Sequence, residues 1–221
     1  IVGSIAGQAL TTGGENTAVG RAALNLTTTA TQSVAIGALA LSSNTTGNKN
    51  TAIGYKALDD NTTGDFNVAV GISALQSNTT ADGNSAFGRE ALFSNTTGAN
   101  NVAVGNGALY TNTTADNNTA VGSNALLLNT TGTQNVAVGH DALEASTTAN
   151  NNTAIGFEAM KANTTGSFNT ASGLVSLASN TTGSENTAYG YRSLTSNTTA
   201  SNNTAVGAGC LGLCTTGTSN T

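Results

Sequence analysis

The sequence predicts an all-β fold, a parallel β-solenoid (β-roll) of thirteen 17-residue coils. Three observations carry this. Glycine recurs at one spacing without a slip, from Gly3, Gly20 and Gly37 to Gly190 and Gly207, so thirteen coils account for all 221 residues. A fixed period without insertions is the mark of a solenoid, each repeat being one coil stacked on the last. Apolar residues hold constant positions against that glycine, and Asn and Thr recur at fixed offsets between them.

Taking the glycine as position zero, position −1 is Val, Ile, Phe or Tyr in twelve coils, with Ser172 the exception. Position −3 is mostly Thr or Val, as at Thr17, Val68, Val102 and Val136. Position +4 is Leu in eleven coils and Met160 in another. Residues −3 and −1 share one strand face by the two-residue period. Their apolar character predicts that they point into the coil, with Leu at +4 packing on them from a second strand. The glycine closes the first strand at positive φ, where a Cβ would be costly.

Asn stands at −4 in twelve coils, and a second Asn ladder lies at +7, including Asn44, Asn61, Asn78, Asn95 and Asn112. Asn tolerates left-handed turns, and its amide can bond to the same residue one coil away, so both ladders are expected to staple corners. Thr fills +8 and +9 in every coil; alternation predicts one Thr ladder facing in and one facing out. All seventeen charged residues fall at +1, +2, +5, +6, +11 or +12, which marks those positions as solvent-facing.

Position −2 is Ala in all twelve coils after the first: Ala18, Ala35, Ala52, Ala69, Ala86, Ala103, Ala120, Ala137, Ala154, Ala171, Ala188 and Ala205. Lying between two inward residues, it is expected to point outward. An outward ladder that never enlarges suits a tight seam, so these alanines are expected to line an oligomer interface, most simply a three-fold bundle. The alternative is that the Ala face meets another part of its own coil.

Composition narrows function. A net charge of −5 with six scattered basic residues argues against nucleic acid as a partner. No apolar run is long enough to span a membrane. One His and dispersed carboxylates give no convergent catalytic group, so no catalysis, cofactor or metal site is expected. Asp65, Asp82 and Asp116 recur at +11 in three coils only, too few for a metal ladder. Cys210 and Cys214, both in the last coil, could form a local disulfide or fill packing positions as thiols. Nine Asn-Thr-Thr sequons read as by-products of the ladder. The aromatics at variable sites show no common phase. The pattern begins and ends in mid-coil, so residues 1–221 are expected to be a single repeat domain excised from a longer protein, or the repeat of an end-to-end filament.

The segment Ser33-Val34-Ala35-Ile36-Gly37 resembles the repeat of trimeric autotransporter adhesin heads, with close variants at Asn101–Gly105 and Asn135–Gly139. The longer unit NTAVGxxALxxNTTGxx is similar to repeats of large bacterial surface proteins and phage tail-fibre-like proteins. The resemblance implies a left-handed roll, three chains side by side, and an extracellular place on a cell or virion surface, with host-cell, surface or glycan contact. The coil here is longer, the extra residues falling in the Asn-Thr-Thr-Gly corner. The function expected is therefore that of a fibre, adhesin or tail-fibre rod and spacer. The rival is ice binding, since a regular Thr ladder on a flat β-solenoid can match a lattice repeat.

Overall fold

The computed structural model describes every residue from Ile1 to Thr221 and contains strands and turns but no helix. It divides into two compact units, Ile1–Thr114 and Ala115–Thr221. The first carries β1 (Thr17–Val19), β2 (Val34–Ile36), β3 (Thr51–Ile53), β4 (Val68–Val70), β5 (Ser85–Phe87) and β6 (Val102–Val104). The second carries β7 (Thr119–Val121), β8 (Val136–Val138), β9 (Thr153–Ile155), β10 (Thr170–Ser172), β11 (Thr187–Tyr189) and β12 (Thr204–Val206). Within each unit, successive strands pair in parallel with a register of one period, Thr51 on Val68 and Ala52 on Ala69 for example. The parallel β-solenoid expected from the glycine period is therefore the fold. The first repeat contributes only an isolated bridge, Val2 with Val19.

Each three-residue strand is followed by Gly at φ between 125° and 142°. A Cβ on Gly54 would overlap the carbonyl of Gly71 in the next coil, so close stacking and backbone conformation both demand glycine here.

The strand phase differs from the expected one. Ala18, Ala35, Ala52, Ala69, Ala86, Ala103, Ala120, Ala137, Ala154, Ala171, Ala188 and Ala205 are all fully buried inside their own coils. Residues −3 and −1 flank them on the outer face, half-buried or exposed in every strand. The physical reason is room. The coil interior also holds the buried Asn at −4, Ala at +3 and Leu at +4, and admits only a methyl at −2. The size limit read as a seam between chains is the width of the coil.

The second expected strand is absent. Leu at +4 is buried, but it sits in a turn in left-handed conformation, as at Leu58 (φ 52°) and Leu92 (φ 53°). Residues at +2 and +12 share that conformation, as at Lys56 and Lys49. Backbone bonds between coils hold these turns, for example Leu58 N–H to Ala74 O at 3.0 Å and Lys56 N–H to Ala38 O at 3.1 Å.

Both Asn ladders form. At +7, Asn61 Nδ2 donates to Asn44 Oδ1 at 2.9 Å and Asn78 Nδ2 to Asn61 Oδ1 at 2.8 Å. Each of these amides also donates to the +10 carbonyl of its own coil, as Asn61 does to Gly64. At −4, Asn50 Oδ1 accepts the backbone N–H of Asn67 at 2.9 Å, while Asn50 Nδ2 donates to Gly64 O at 2.7 Å. One carbonyl thus ties both ladders together. The Thr pair serves the outside of this corner. Thr45 Oγ1 donates to Thr62 O at 2.9 Å, whereas Thr46 is exposed, so neither Thr ladder enters the core.

The +7 ladder breaks where Asn is replaced. Ser146 is fully buried, and its Oγ has no hydrogen-bond partner. Ser146→Asn supplies an Oδ1 for the free Nδ2 hydrogen of Asn163 and an Nδ2 for the coil before. It is expected to raise stability by about 1 kcal/mol, the net worth of a buried hydrogen bond. Slower amide exchange in the coils on either side would register it.

Candidate functional site: the outer sheet face

Within each unit, the face that residues −3 and −1 present is built the same way in every strand. Val34, Thr51, Val68, Ser85 and Val102 follow one another in one column; Ile36, Ile53, Val70, Phe87 and Val104 follow in the other. Apolar side chains here are much more open than a core would leave them. Ile53 is 37% exposed, Phe87 42% and Tyr189 61%. No charged residue occurs in either column of β1–β12. The −1 column is thus an exposed, largely apolar row, beside a −3 column that is Thr or Ser in eight of the twelve strands.

The remaining sides of the coil are turns that carry the charges. A ladder of acceptors at +11 was not anticipated from sequence. Asp65 Oδ1 accepts the N–H of Asn48 at 2.6 Å, and Asp82 Oδ1 that of Asp65 at 2.7 Å. Ser184 and Ser201 act alike toward Ser167 and Ser184. The carboxylates at +11 are thus engaged by backbone. The signal was there in the short polar residues at that offset, all able to accept from a neighbouring amide.

The densest charge cluster gathers on Lys161. Its Nζ lies 2.8 Å from Asp141, 3.0 Å from Glu158 and 3.4 Å from Glu144. Burial pushes the Asp141 carboxyl up, but hydrogen bonds from Lys161 and Asn124, with the lysine charge, outweigh it and hold the group below the ordinary range. The hydrogen bonds that Lys161 donates to Asp141 and Glu158 push its ammonium well above its usual value. At Asp60, desolvation and the neighbouring Asp59 raise the carboxyl. Asp59 and Asp141 are buried, so +5 and +2 are not always solvent-facing. The Lys161 ammonium offsets one of the three carboxylates around it, and no three His, Cys, Asp or Glu side chains converge to hold a metal ion.

Two pairs of aromatic rings stack between adjacent coils: Phe93 on Tyr110 at 5.1 Å and His140 on Phe157 at 5.4 Å. Elsewhere the aromatics stand singly, Phe66 beneath the Lys49 ammonium at 4.9 Å. Cys210 and Cys214 are free thiols, with no disulfide between them. The amides of the nine Asn-Thr-Thr sequons, Asn44 and Asn61 among them, lie inside the coil, closed to modification in the folded chain.

No family model, curated protein or solved structure matches the chain. No helix is long and apolar enough to cross a membrane. The functional reading therefore rests on the geometry of the outer face.

Proposed function

We propose that the chain is a structural component of an extracellular fibre, surface adhesin or tail fibre, assembled from copies of itself through the outer sheet face. The carrying observation is the uncharged column of Val, Ile, Phe and Tyr at −1, open to solvent in a single chain. Burying what remains open of each such side chain is favourable by roughly 25 cal/mol per Å² of apolar surface, and the contact recurs from strand to strand. Each coil offers one sheet face, its other sides being turns, which favours a small closed assembly over a lateral lattice. A bundle of three agrees with the adhesin-head resemblance, as does a place on a cell or virion surface. The turns, with their variable side chains, would remain for contact with a host cell, surface or glycan.

The test is absolute mass by light scattering. Three chains support the bundle, and long polydisperse species support an end-to-end filament. A monomer of 21.6 kDa overturns assembly through this face.

One observation favours a second reading, ice binding. With the strand phase observed, Thr17, Thr51, Thr119, Thr153, Thr170, Thr187 and Thr204 all lie on the outer face. Against it, Phe87 and Tyr189 protrude from that face and would interrupt contact with a flat lattice. Thermal hysteresis of a monomeric chain would decide for ice.

A further inference from the structure

We propose that a single water molecule is bound inside the coil at Ser146, where it does the work of the amide that the +7 ladder lacks there.

An intact rung meets three groups. Asn78 Nδ2 donates to Asn61 Oδ1 in the coil before, at 2.8 Å, and to Ala81 O in its own coil, at 3.1 Å. Asn78 Oδ1 accepts from Asn95 in the coil after, at 2.9 Å. At Ser146 no carboxamide reaches these places. The serine is fully buried, and its Oγ has no hydrogen-bond partner within the chain. In the coil after, Asn163 is also fully buried, and its Nδ2 donates only to Gly166 O, at 2.9 Å. Its second N–H hydrogen is left for the coil of Ser146. In that coil, Ala149 O accepts from Asn135 Nδ2 at 2.8 Å, whereas the equivalent Ala81 O accepts from both Asn67 and Asn78. In the coil before, Asn129 is the rung on the ladder's other side, in the place that Asn61 holds toward Asn78.

The occupant must therefore accept a hydrogen bond from Asn163 and donate one to Ala149 O. A metal cation or an ammonium ion cannot accept from an N–H, and a deprotonated anion cannot donate to a carbonyl. Water does both and has capacity left for Ser146 Oγ and an amide oxygen. It matches the missing carboxamide, which would give two N–H donors and one acceptor. Serine puts a hydroxyl where asparagine has a carboxamide, which leaves room on the order of one water, ~30 Å³. Buried waters typically make about three hydrogen bonds, to groups that would otherwise lack partners. A dry donor and a dry acceptor would cost more than holding the water does.

Thr27 shows what selects the site. It too interrupts the +7 ladder, and its Oγ1 is buried and unpartnered. Its γ-methyl adds a carbon where serine has none, and Leu10 in the coil before has no amide to offer. No water is expected there. At Ser146 the water carries the ladder from Asn129 to Asn163.

A crystal structure of the full chain reads the site directly. The expected result is one density peak within ~2.7–3.2 Å of Ser146 Oγ, Asn163 Nδ2 and Ala149 O. In Ser146→Asn the amide is expected to stand in its place. In solution, Ser146→Ala decides by sign. With water bound, the substitution removes one of its partners. Amide exchange in the coils of Ser146 and Asn163 is then expected to quicken about fivefold, the ratio that one hydrogen bond is worth. Without water, the same change deletes an unsatisfied buried hydroxyl and leaves exchange unchanged or slower, as is expected for Thr27→Val. A dry site in the crystal, or exchange that Ser146→Ala does not quicken, would overturn the proposal. A peak at Thr27 as well would overturn the part given to room and to the preceding amide.

Discussion

Lysine at Ala103 is expected to unfold its coil, whereas lysine one residue later, at Val104, is expected to leave the coil folded and separate the chains. Ala103 is fully buried beside Asn101, which is itself enclosed, and no acid stands inside the coil to receive an ammonium. Burying that charge unpaired costs several kcal/mol, and fitting the long side chain distorts the stacking on Ala86. We expect a loss of more than about 4 kcal/mol, visible as insolubility or loss of the β-sheet circular dichroism signal. Val104 is 37% exposed on the opposite face. Lysine there should alter single-chain stability by no more than about 0.5 kcal/mol. In an assembly the same lysine brings like charges together in a dry seam, so light scattering should report single chains. A soluble, fully folded Ala103→Lys chain would refute the strand phase described here. An unchanged assembly with Val104→Lys would refute the seam.

Asn78→Ala is expected to cost about 2–4 kcal/mol, far more than a polar-to-alanine change on a surface. The Asn78 amide donates to Asn61 Oδ1 at 2.8 Å and to Ala81 O at 3.1 Å, and its own oxygen accepts from Asn95 at 2.9 Å. Truncation leaves Asn61 Oδ1 and one Asn95 N–H buried without partners, each worth about 1–3 kcal/mol. Asn44→Ala serves as the internal control. Asn44 takes a bond from Asn61 but gives none to the preceding coil, where Thr27 stands and its Oγ1 is unpartnered. Its loss is expected to be smaller by about one orphaned group. Because coils couple to their neighbours alone, amide exchange should accelerate in the flanking coils and hardly at all farther away. Equal costs at Asn44 and Asn78 would show that the ladder does not act as a chain of bonds.

The glycine period made the solenoid legible, because a close approach at one point of every coil admits no other residue. The Asn ladders were legible for the same reason: a buried amide needs a fixed partner, and the same residue one coil away supplies it. The strand phase was misread because three residues are too few for alternation to declare which side is inside. Apolar character alone assigns Val and Ile to the interior. Two signals pointed the other way. Asn at −4 and Ala at −2 share one phase, and both are nearly invariant in size, as an enclosed row must be. The −1 column accommodates Ser172 next to Tyr189, which a coil interior this narrow could not. Leu at +4 was correctly placed in the core, but its left-handed turn left no trace in the sequence, since β-propensity does not foretell a positive φ at leucine. The +11 acceptors are hidden in the sequence because Asp, Asn and Ser look like unrelated surface choices until their shared role toward a backbone amide is seen.

The overlap that a Cβ on Gly54 would make with the carbonyl of Gly71 governs how a gene for such a chain can change in length. Inserting or deleting a single residue moves the next glycine out from under its neighbour and, in that coil, lays a bulkier residue on a carbonyl. Inserting or deleting 17 restores each contact, each amide rung and each outer column. Unequal recombination between repeats in whole coils therefore leaves no coil with a displaced glycine, whereas any other length change concentrates its cost in the coil that receives it.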